Sequence, residues 1–368
     1  GMRMTDRFRL TLAQLNATVG DLTGNAALAR RAWDEGRKAG ADLVALPEMF
    51  ITGYQTQDLV LKPAFHQAAI AAIETLAREC ADGPVLAIGG PALEGVDLHN
   101  AYYILQGGRI TARVFKHHLP NEDVFDEKRL FRSGAVAGPY AVGGVRIGSP
   151  ICEDAWYPDV AETLAETGAE ILLVPNGSPH FREKMVVRQN HMVARVVETG
   201  LPLVYLNLLG GQDDQVFDGG SFVLNPGGTL ALQLPMFEEA IAHLDFKRGA
   251  DGWQARPAAL AHMPDDLEQD YAATVLALRD YLRKTGFGRV VLGLSGGVDS
   301  AIVATIAADV LGPENVRCVM LPSEYTSQDS LEDAKAVAQN LGCPYEFLPI
   351  EDARAAITAT LAPLFEGL

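Results

Sequence analysis

Cys152 ends the apolar run Ile147-Gly148-Ser149-Pro150-Ile151 and opens into the polar stretch Glu153-Asp154-Ala155-Trp156. Glu48 closes Asp42-Leu43-Val44-Ala45-Leu46-Pro47, and Lys116 closes Arg113-Val114-Phe115. Each is a reactive side chain just beyond a stretch that reads as a strand, and in open α/β layers chemistry collects beyond the carboxyl ends of strands. Singly, each has an ordinary explanation: a cysteine after an apolar strand is usually core, and a strand-end lysine or glutamate is usually solvated. Together, a thiol, a carboxylate and an ammonium without a matched histidine fit attack on a carbon–nitrogen bond. Glu48 would take the thiol proton, hand it to departing ammonia and then activate water against the thioester. Lys116 would stabilise the tetrahedral oxyanion. Backbone N–H groups at such an elbow and the nearby Lys116 are expected to favour the thiolate.

A second chemistry-bearing segment, Ser295-Gly296-Gly297-Val298-Asp299-Ser300, lies between the apolar run Val290–Leu294 and the Ala/Ile-rich stretch Ala301–Leu311. Strand, glycine turn and helix start in that order make a phosphate cradle, with converging N–H groups and a positive dipole end. It departs from the Walker-type loop, which needs longer glycine spacing and a terminal Lys-Ser/Thr pair. Hydroxyls and Asp299 stand where that lysine would be. A plain glycine turn is the competing reading, and the two serines bracketing Gly-Gly-x-Asp weigh against it.

The whole chain bounds these readings. Its 368 residues, 48% hydrophobic, can bury large cores and suit two domains. The formal net charge of −17 opposes nonspecific attraction to nucleic acids and anionic membranes. Cys80, Cys152, Cys318 and Cys343 show no paired spacing, which supports neither a disulfide framework nor a zinc ribbon. No apolar stretch of membrane-spanning length occurs, and Gly1-Met2-Arg3-Met4 lacks a secretion signal's apolar core, so a cytoplasmic location is expected. His117 and His118 are adjacent; on an extended chain they would face opposite ways and could not readily share a metal.

The elements that must position these residues follow a βαβ rhythm. Strands are expected at Phe8–Leu15, Leu43–Leu46 and Val85–Gly89, with helices at Asn25–Ala39 and near Pro63–Cys80. Ala101–Leu105 and Arg109–Phe115 flank Gly107-Gly108 as a hairpin, so the sheet is expected to be mixed. Strand regions follow at Val142–Ile151, Ile171–Val174 and Leu203–Leu206, with a helix after Pro158 and a long one from about Arg182 to Glu198, then short strands to Phe246. Residues 247–266, rich in Gly, Asp, Ala and Pro, read as a linker. A second unit, 267–368, opens with a helix over about Asp266–Thr285 and continues as a doubly wound α/β sheet with a strand at Val316–Leu321 and a helix at Ser330–Leu341.

Glu48, Lys116 and Cys152 resemble the Glu-Lys-Cys triad of the nitrilase superfamily, which implies a four-layer αββα sandwich over 1–246. Leu119-Pro120-Asn121 and Val124-Phe125-Asp126-Glu127-Lys128-Arg129 resemble the segment after the lysine in the glutaminase branch of glutamine-dependent NAD synthetases, where Glu127 matches a second, positioning glutamate. Pro175-Asn176-Gly177-Ser178-Pro179, Gly210-Gly211-Gln212-Asp213 and Val216-Phe217-Asp218-Gly219 extend that resemblance, and Gly293–Ser300 with Pro322-Ser323-Glu324-Tyr325-Thr326-Ser327 resemble the family's ATP pyrophosphatase domain. The resemblance implies that Ser178 and Lys184 meet the amino acid head group of glutamine. The family commonly has an aromatic residue after Leu-Pro-Asn; here Glu122-Asp123 follow, and Glu122 could meet the α-amine.

The expectation is therefore an enzyme in which Cys152 hydrolyses glutamine and ammonia amidates an AMP-activated carboxylate of nicotinic acid adenine dinucleotide, using ATP. Ser295, Gly296, Gly297 and Ser300 would hold pyrophosphate, with Asp299 a Mg2+ contact. The resemblance also implies a homo-oligomer. Alternatives are a stand-alone amidase with a non-catalytic C-terminal unit, distinguished by indifference to ATP, and a degenerate binding protein, against which the intact triad counts. With 68 residues after Ser300 (368 − 300), the second unit reads as incomplete, so glutamine hydrolysis with weak or absent NAD synthesis is expected of these residues.

Overall fold

The computed structural model describes residues 6–120, 127–181, 183–212, 215–286, 288–322, 326–348, 359 and 362–363; the side chains of Val298 and Asp299 also lie outside the description. Two compact units are distinguished, Gly1–Ala273 and Thr274–Leu368.

The first unit opens with β1 (Arg7–Gln14), after which α1 (Leu22–Lys38) returns the chain to β2 (Leu43–Ala45). Asp21 starts α1 because its carboxylate accepts the Gly24 N–H at 2.9 Å, satisfying one orphan donor of the first turn. Helix α2 (Pro63–Glu79) begins on a proline, whose missing N–H costs nothing there, and leads to β3 (Val85–Glu94). Then β4 (Asp97–Gln106) and β5 (Arg109–Phe115) fold about Gly107-Gly108, both at positive φ. After the short α3 (Glu127–Leu130) come β6 (Tyr140–Val142), β7 (Val145–Gly148), α4 (Pro158–Glu166), β8 (Ile171–Asn176) and α5 (Lys184–Thr199), which stops at left-handed Gly200. β9 (Leu203–Asn207), β10 (Leu209–Gln212), β11 (Gln215–Asp218), β12 (Phe222–Leu224), β13 (Leu230–Gln233), β14 (Ala240–Gly249) and β15 (Gly252–Ala255) complete it.

Two mixed sheets result, in the orders β15-β14-β1-β2-β3-β4-β5 and β13-β12-β9-β8-β7-β6. Three apolar clusters set the layers. One joins residues of both sheets, such as Leu10, Leu43 and Phe246 with Ile147, Ile171 and Val204. A second packs α1 and α2 through Ala29, Ile73 and Leu76 on the first sheet, and a third packs α4 and α5 through Leu164 and Met192 on the second. The four-layer αββα sandwich is thus the expected one, and the central strands are buried on both faces rather than alternating.

The stretch 247–266 departs from its reading as a linker. It contains the end of β14 and all of β15, and Trp253 is 2% exposed, donating from Nε1 to Glu170 Oε2 at 3.0 Å. The Gly, Asp, Ala and Pro content of 247–266 hid a hairpin whose value lies in one buried indole. Helix α6 (Asp266–Thr285) follows and crosses the boundary between the units.

In the second unit β16 (Val290–Gly293), α7 (Val298–Leu311), β17 (Val316–Met320), α8 (Gln328–Leu341) and β18 (Tyr345–Phe347) form a three-stranded parallel sheet, order β16-β17-β18, around Ala304, Val316, Cys318 and Ala338. Among the described residues no helix is long and apolar enough to cross a membrane.

Candidate active site

Three strand ends converge. The turn after β2 is held by Leu46 N donating to Ala87 O at 2.8 Å, and it presses so closely on β3 that a Cβ at Gly89 would lie 2.1 Å from Met49 N. Only glycine fits there, and the contact points Glu48 inward at 1% exposure. Glu48 Oε1 accepts the Gly177 N–H at 2.9 Å; Oε2 accepts Asn100 Nδ2 at 2.8 Å and Lys116 Nζ at 2.7 Å. Asn100, on β4, does two things at once, since its carbonyl also accepts the Lys116 N–H at 2.9 Å. Lys116 is fully buried, with Nζ 3.0 Å from Glu127 Oε2, and Glu127 Oε1 accepts the Tyr54 hydroxyl. Burial alone would lower the lysine's pKa, but the Glu127 and Glu48 carboxylates outweigh it and hold Lys116 charged well above its usual range. Burial raises Glu127, opposed by Lys116.

Cys152 heads a single tight turn, Cys152–Ala155, with φ at +48°, the left-handed region that a non-glycine residue enters only when its surroundings hold it there. The hold is Asp154. Its buried carboxylate accepts the N–H groups of His118 at 2.6 Å and of His117 and Ile151 at 3.2 Å. The nucleophile's turn is thereby fastened to the two residues that follow Lys116. Nothing in the sequence marked Asp154 for this task.

The thiolate expectation fails in the free site. Burial pushes the Cys152 thiol up, Glu48 pushes it further, and the opposing pull of Lys116 and the Gly177 N–H does not compensate. Burial and Glu48 both favour the protonated thiol, and the Glu48 carboxylate that contributes to this is also the nearby base.

Cys152 opens into a cavity of about 160 Å³ that Tyr54, Trp156, Gly177, Ser178, Phe181 and Lys184 help to line. Lys184 is no solvated helix position: its Nζ lies 4.5 Å from the centre of the Trp156 ring, and burial lowers its pKa. Ser178 N donates to Asn207 Oδ1 at 2.9 Å, and Arg188 holds the Ser178 carbonyl at 3.0 Å and its hydroxyl at 3.1 Å. Arg188 is itself fully buried and paired with Asp218 Oδ1 at 2.7 Å. Glu122 and Asp123 lie outside the described residues.

In the second unit the loop after β16 is a tight glycine turn leading into α7. Gly296 has φ +78°, and a Cβ there would lie 2.4 Å from the Ser330 carbonyl oxygen. Ser295 and Ser300 hydroxyls lie 3.1 Å apart, Gly297 N donates to Ser295 Oγ at 3.2 Å, and α7 starts with no side-chain cap. Donors that now satisfy one another can turn to a phosphate.

His117 and His118 also differ from expectation. β5 ends at Phe115, so the two are not on an extended strand, and their rings meet edge to face at 4.8 Å.

Residues 9–251 match the carbon-nitrogen hydrolase family and residues 270–365 the NAD synthase family. The chain is 61% identical over 364 residues to the glutamine-dependent NAD(+) synthetase of Rhodobacter capsulatus, covering 99% of this chain and 66% of that protein. The structure of glutamine-dependent NAD+ synthetase from Acinetobacter baumannii in complex with ADP is 33% identical, with TM-score 0.87 over 98% of this chain and 68% of that one. An amidase from Nesterenkonia sp. AN1, seen after Michael addition of acrylamide at its active site cysteine, is 26% identical with TM-score 0.58, over 64% of this chain and 92% of its own. The chain thus spans about two thirds of the length of the synthetases, whereas the amidase is matched over most of its own length.

Proposed function

The chain belongs to the family of glutamine-dependent NAD(+) synthetases, and we propose that its first unit (1–246 with the β15 hairpin) is the glutaminase and its second (267–368) part of the ATP-dependent amidating domain. The observation that carries this reading is a thiol at a strained elbow, lining a cavity beside a buried Glu48–Lys116–Glu127 cluster, in one chain with the Ser295–Ser300 cradle.

Glutamine enters with its head group toward Lys184 and Ser178, the ammonium of Lys184 meeting the α-carboxylate. Glu48 removes the Cys152 proton as Sγ attacks the side-chain amide carbon, so the charge moves from carboxylate to the developing oxyanion. Lys116 stabilises that oxyanion, and Glu127 keeps the lysine charged and aimed. Collapse expels ammonia, which takes the proton from Glu48 and leaves a glutamyl thioester. Glu48 then accepts a proton from water attacking the thioester, and glutamate departs with the thiol restored.

In the complete amidating domain, to which the second unit contributes the cradle, ATP adenylates the carboxylate of nicotinic acid adenine dinucleotide, the cradle holds the leaving pyrophosphate, and ammonia displaces AMP to give NAD. Mg2+ would neutralise the phosphates there, with Asp299 as its proposed contact. A homo-oligomer in the cytoplasm remains part of this proposal.

Cys152→Ala tests the assignment. In a protein carrying the whole synthetase sequence it should abolish NAD synthesis from glutamine while leaving synthesis from added ammonia. Glutamine hydrolysis that survives the substitution sinks the assignment.

A further inference from the structure

Glu153 lines both the Cys152 cavity and a neighbouring groove of about 460 Å³, whose wall also carries His117, His118 and Tyr157. Across from them, at the first turn of α4, stands Asp159. The ligand atoms of His117, His118 and Asp159 lie within 4.8 Å of one another, and the three are the one such His/Cys/Asp/Glu group among the described residues. We propose that they form a binding site for a divalent transition metal of the zinc class.

The donors suit such an ion: two imidazole nitrogens and a carboxylate oxygen, with the open groove supplying water. Their supports are those that metal-bound histidines need. His117 Nδ1 lies 2.7 Å from the Gly134 carbonyl, a bond that makes Nδ1 the donor and leaves Nε2 with its lone pair free. The Ser133 hydroxyl donates to His117 O at 2.6 Å, and Asp154 holds both histidine N–H groups, so the dipeptide backbone is fixed. The His118 ring rests on Tyr157 with centroids 4.6 Å apart. His118 Nε2 already faces Asp159, 2.9 Å from each carboxylate oxygen, and a cation would replace the proton between them. Ligands around zinc sit roughly 3.3 Å from one another, at bond lengths near 2.0–2.1 Å. Asp159, 52% exposed, is free to close the remaining gap by side-chain rotation.

Occupation would join the end of β5, in one sheet, to α4, which packs on the other, at the rim of the Cys152 cavity. The bound ion therefore raises the thermal stability of the first unit as its concentration rises.

The test uses the Cys152→Ala chain, so that the thiol cannot compete, stripped with a chelator and titrated with Co2+ by absorption and with Zn2+ by calorimetry. One equivalent should bind, with d–d bands of a nitrogen/oxygen site and a rise in melting temperature. Asp159→Asn and, separately, His118→Gln should weaken binding by about 10-fold or more, each with its melting curve recorded without metal to confirm folding. Unchanged affinity in both variants, or binding only in the native chain with a sulfur charge-transfer band, overturns the proposal. That outcome would leave the glutaminase reading intact, since this titration does not involve glutamine.

Discussion

Glu48→Gln should move two properties of Cys152 in opposite directions. In the native site two carboxylates, Glu48 and Glu127, surround one ammonium, Lys116, so a thiolate would form in surroundings already negative. Glutamine keeps the shape and removes one charge, leaving Lys116 balanced by Glu127 alone. Because Glu48 is, after burial, the largest influence raising the thiol, its neutralisation lowers the thiol pKa, and the thiolate fraction at a fixed pH rises by about 10-fold or more. Glutamine turnover goes the other way. Loss of the proton acceptor costs about 10²- to 10⁴-fold, or roughly 2.7–5.5 kcal/mol of barrier. The assay pairs steady-state glutamine hydrolysis with the pH dependence of alkylation by a small electrophile, followed by mass spectrometry of the Cys152 peptide. In the native chain alkylation should set in above the ordinary cysteine range near pH ~8.5, and in the variant at lower pH. An alkylation profile that moves to higher pH in Glu48→Gln refutes the electrostatic reasoning.

Gly89→Ala forces its new methyl against the Met49 backbone and displaces Glu48; a misplacement of about 1 Å should lower kcat roughly 10²-fold while circular dichroism stays native. Lys184→Met removes the charge proposed to meet the α-carboxylate, so KM for glutamine should rise by about 10-fold or more with kcat little changed, read from initial rates. Arg188→Leu strands Asp218 in the core, and denaturant unfolding should show a loss of about 3–5 kcal/mol.

That Glu48, Lys116 and Cys152 come together was legible because each sits just past an apolar run, and strand ends can be read from local pattern. Helix α6 and the strand β17 were equally visible, through length, caps and apolar content. What the sequence hid are residues whose roles come from partners far along the chain. Asn100 acts on Glu48 and Lys116 from the next strand, and Asp154 acts through backbone N–H groups 36 or 37 positions away. Arg188 and Asp218 form a buried pair that would pass for surface charges on a helix and at a strand end. Glu127 was reachable only through family resemblance, since a glutamate opening a four-residue helix carries no local signal of burial. The same limit explains Cys152: Lys116 was foreseeable as a neighbour, but the desolvation that outweighs it depends on what closes over the site. The end of β5 at Phe115 was read to the residue; hidden was the turn taken beyond it, which brings the His117 and His118 rings together.

The central claim is that Cys152 carries the glutamyl group. Native chain turning over glutamine, quenched in acid and mapped by peptide mass spectrometry, should show a glutamyl thioester on the peptide containing Cys152 and nowhere else. A glutamyl adduct on a different residue, or undiminished hydrolysis by Cys152→Ala, would contradict the account.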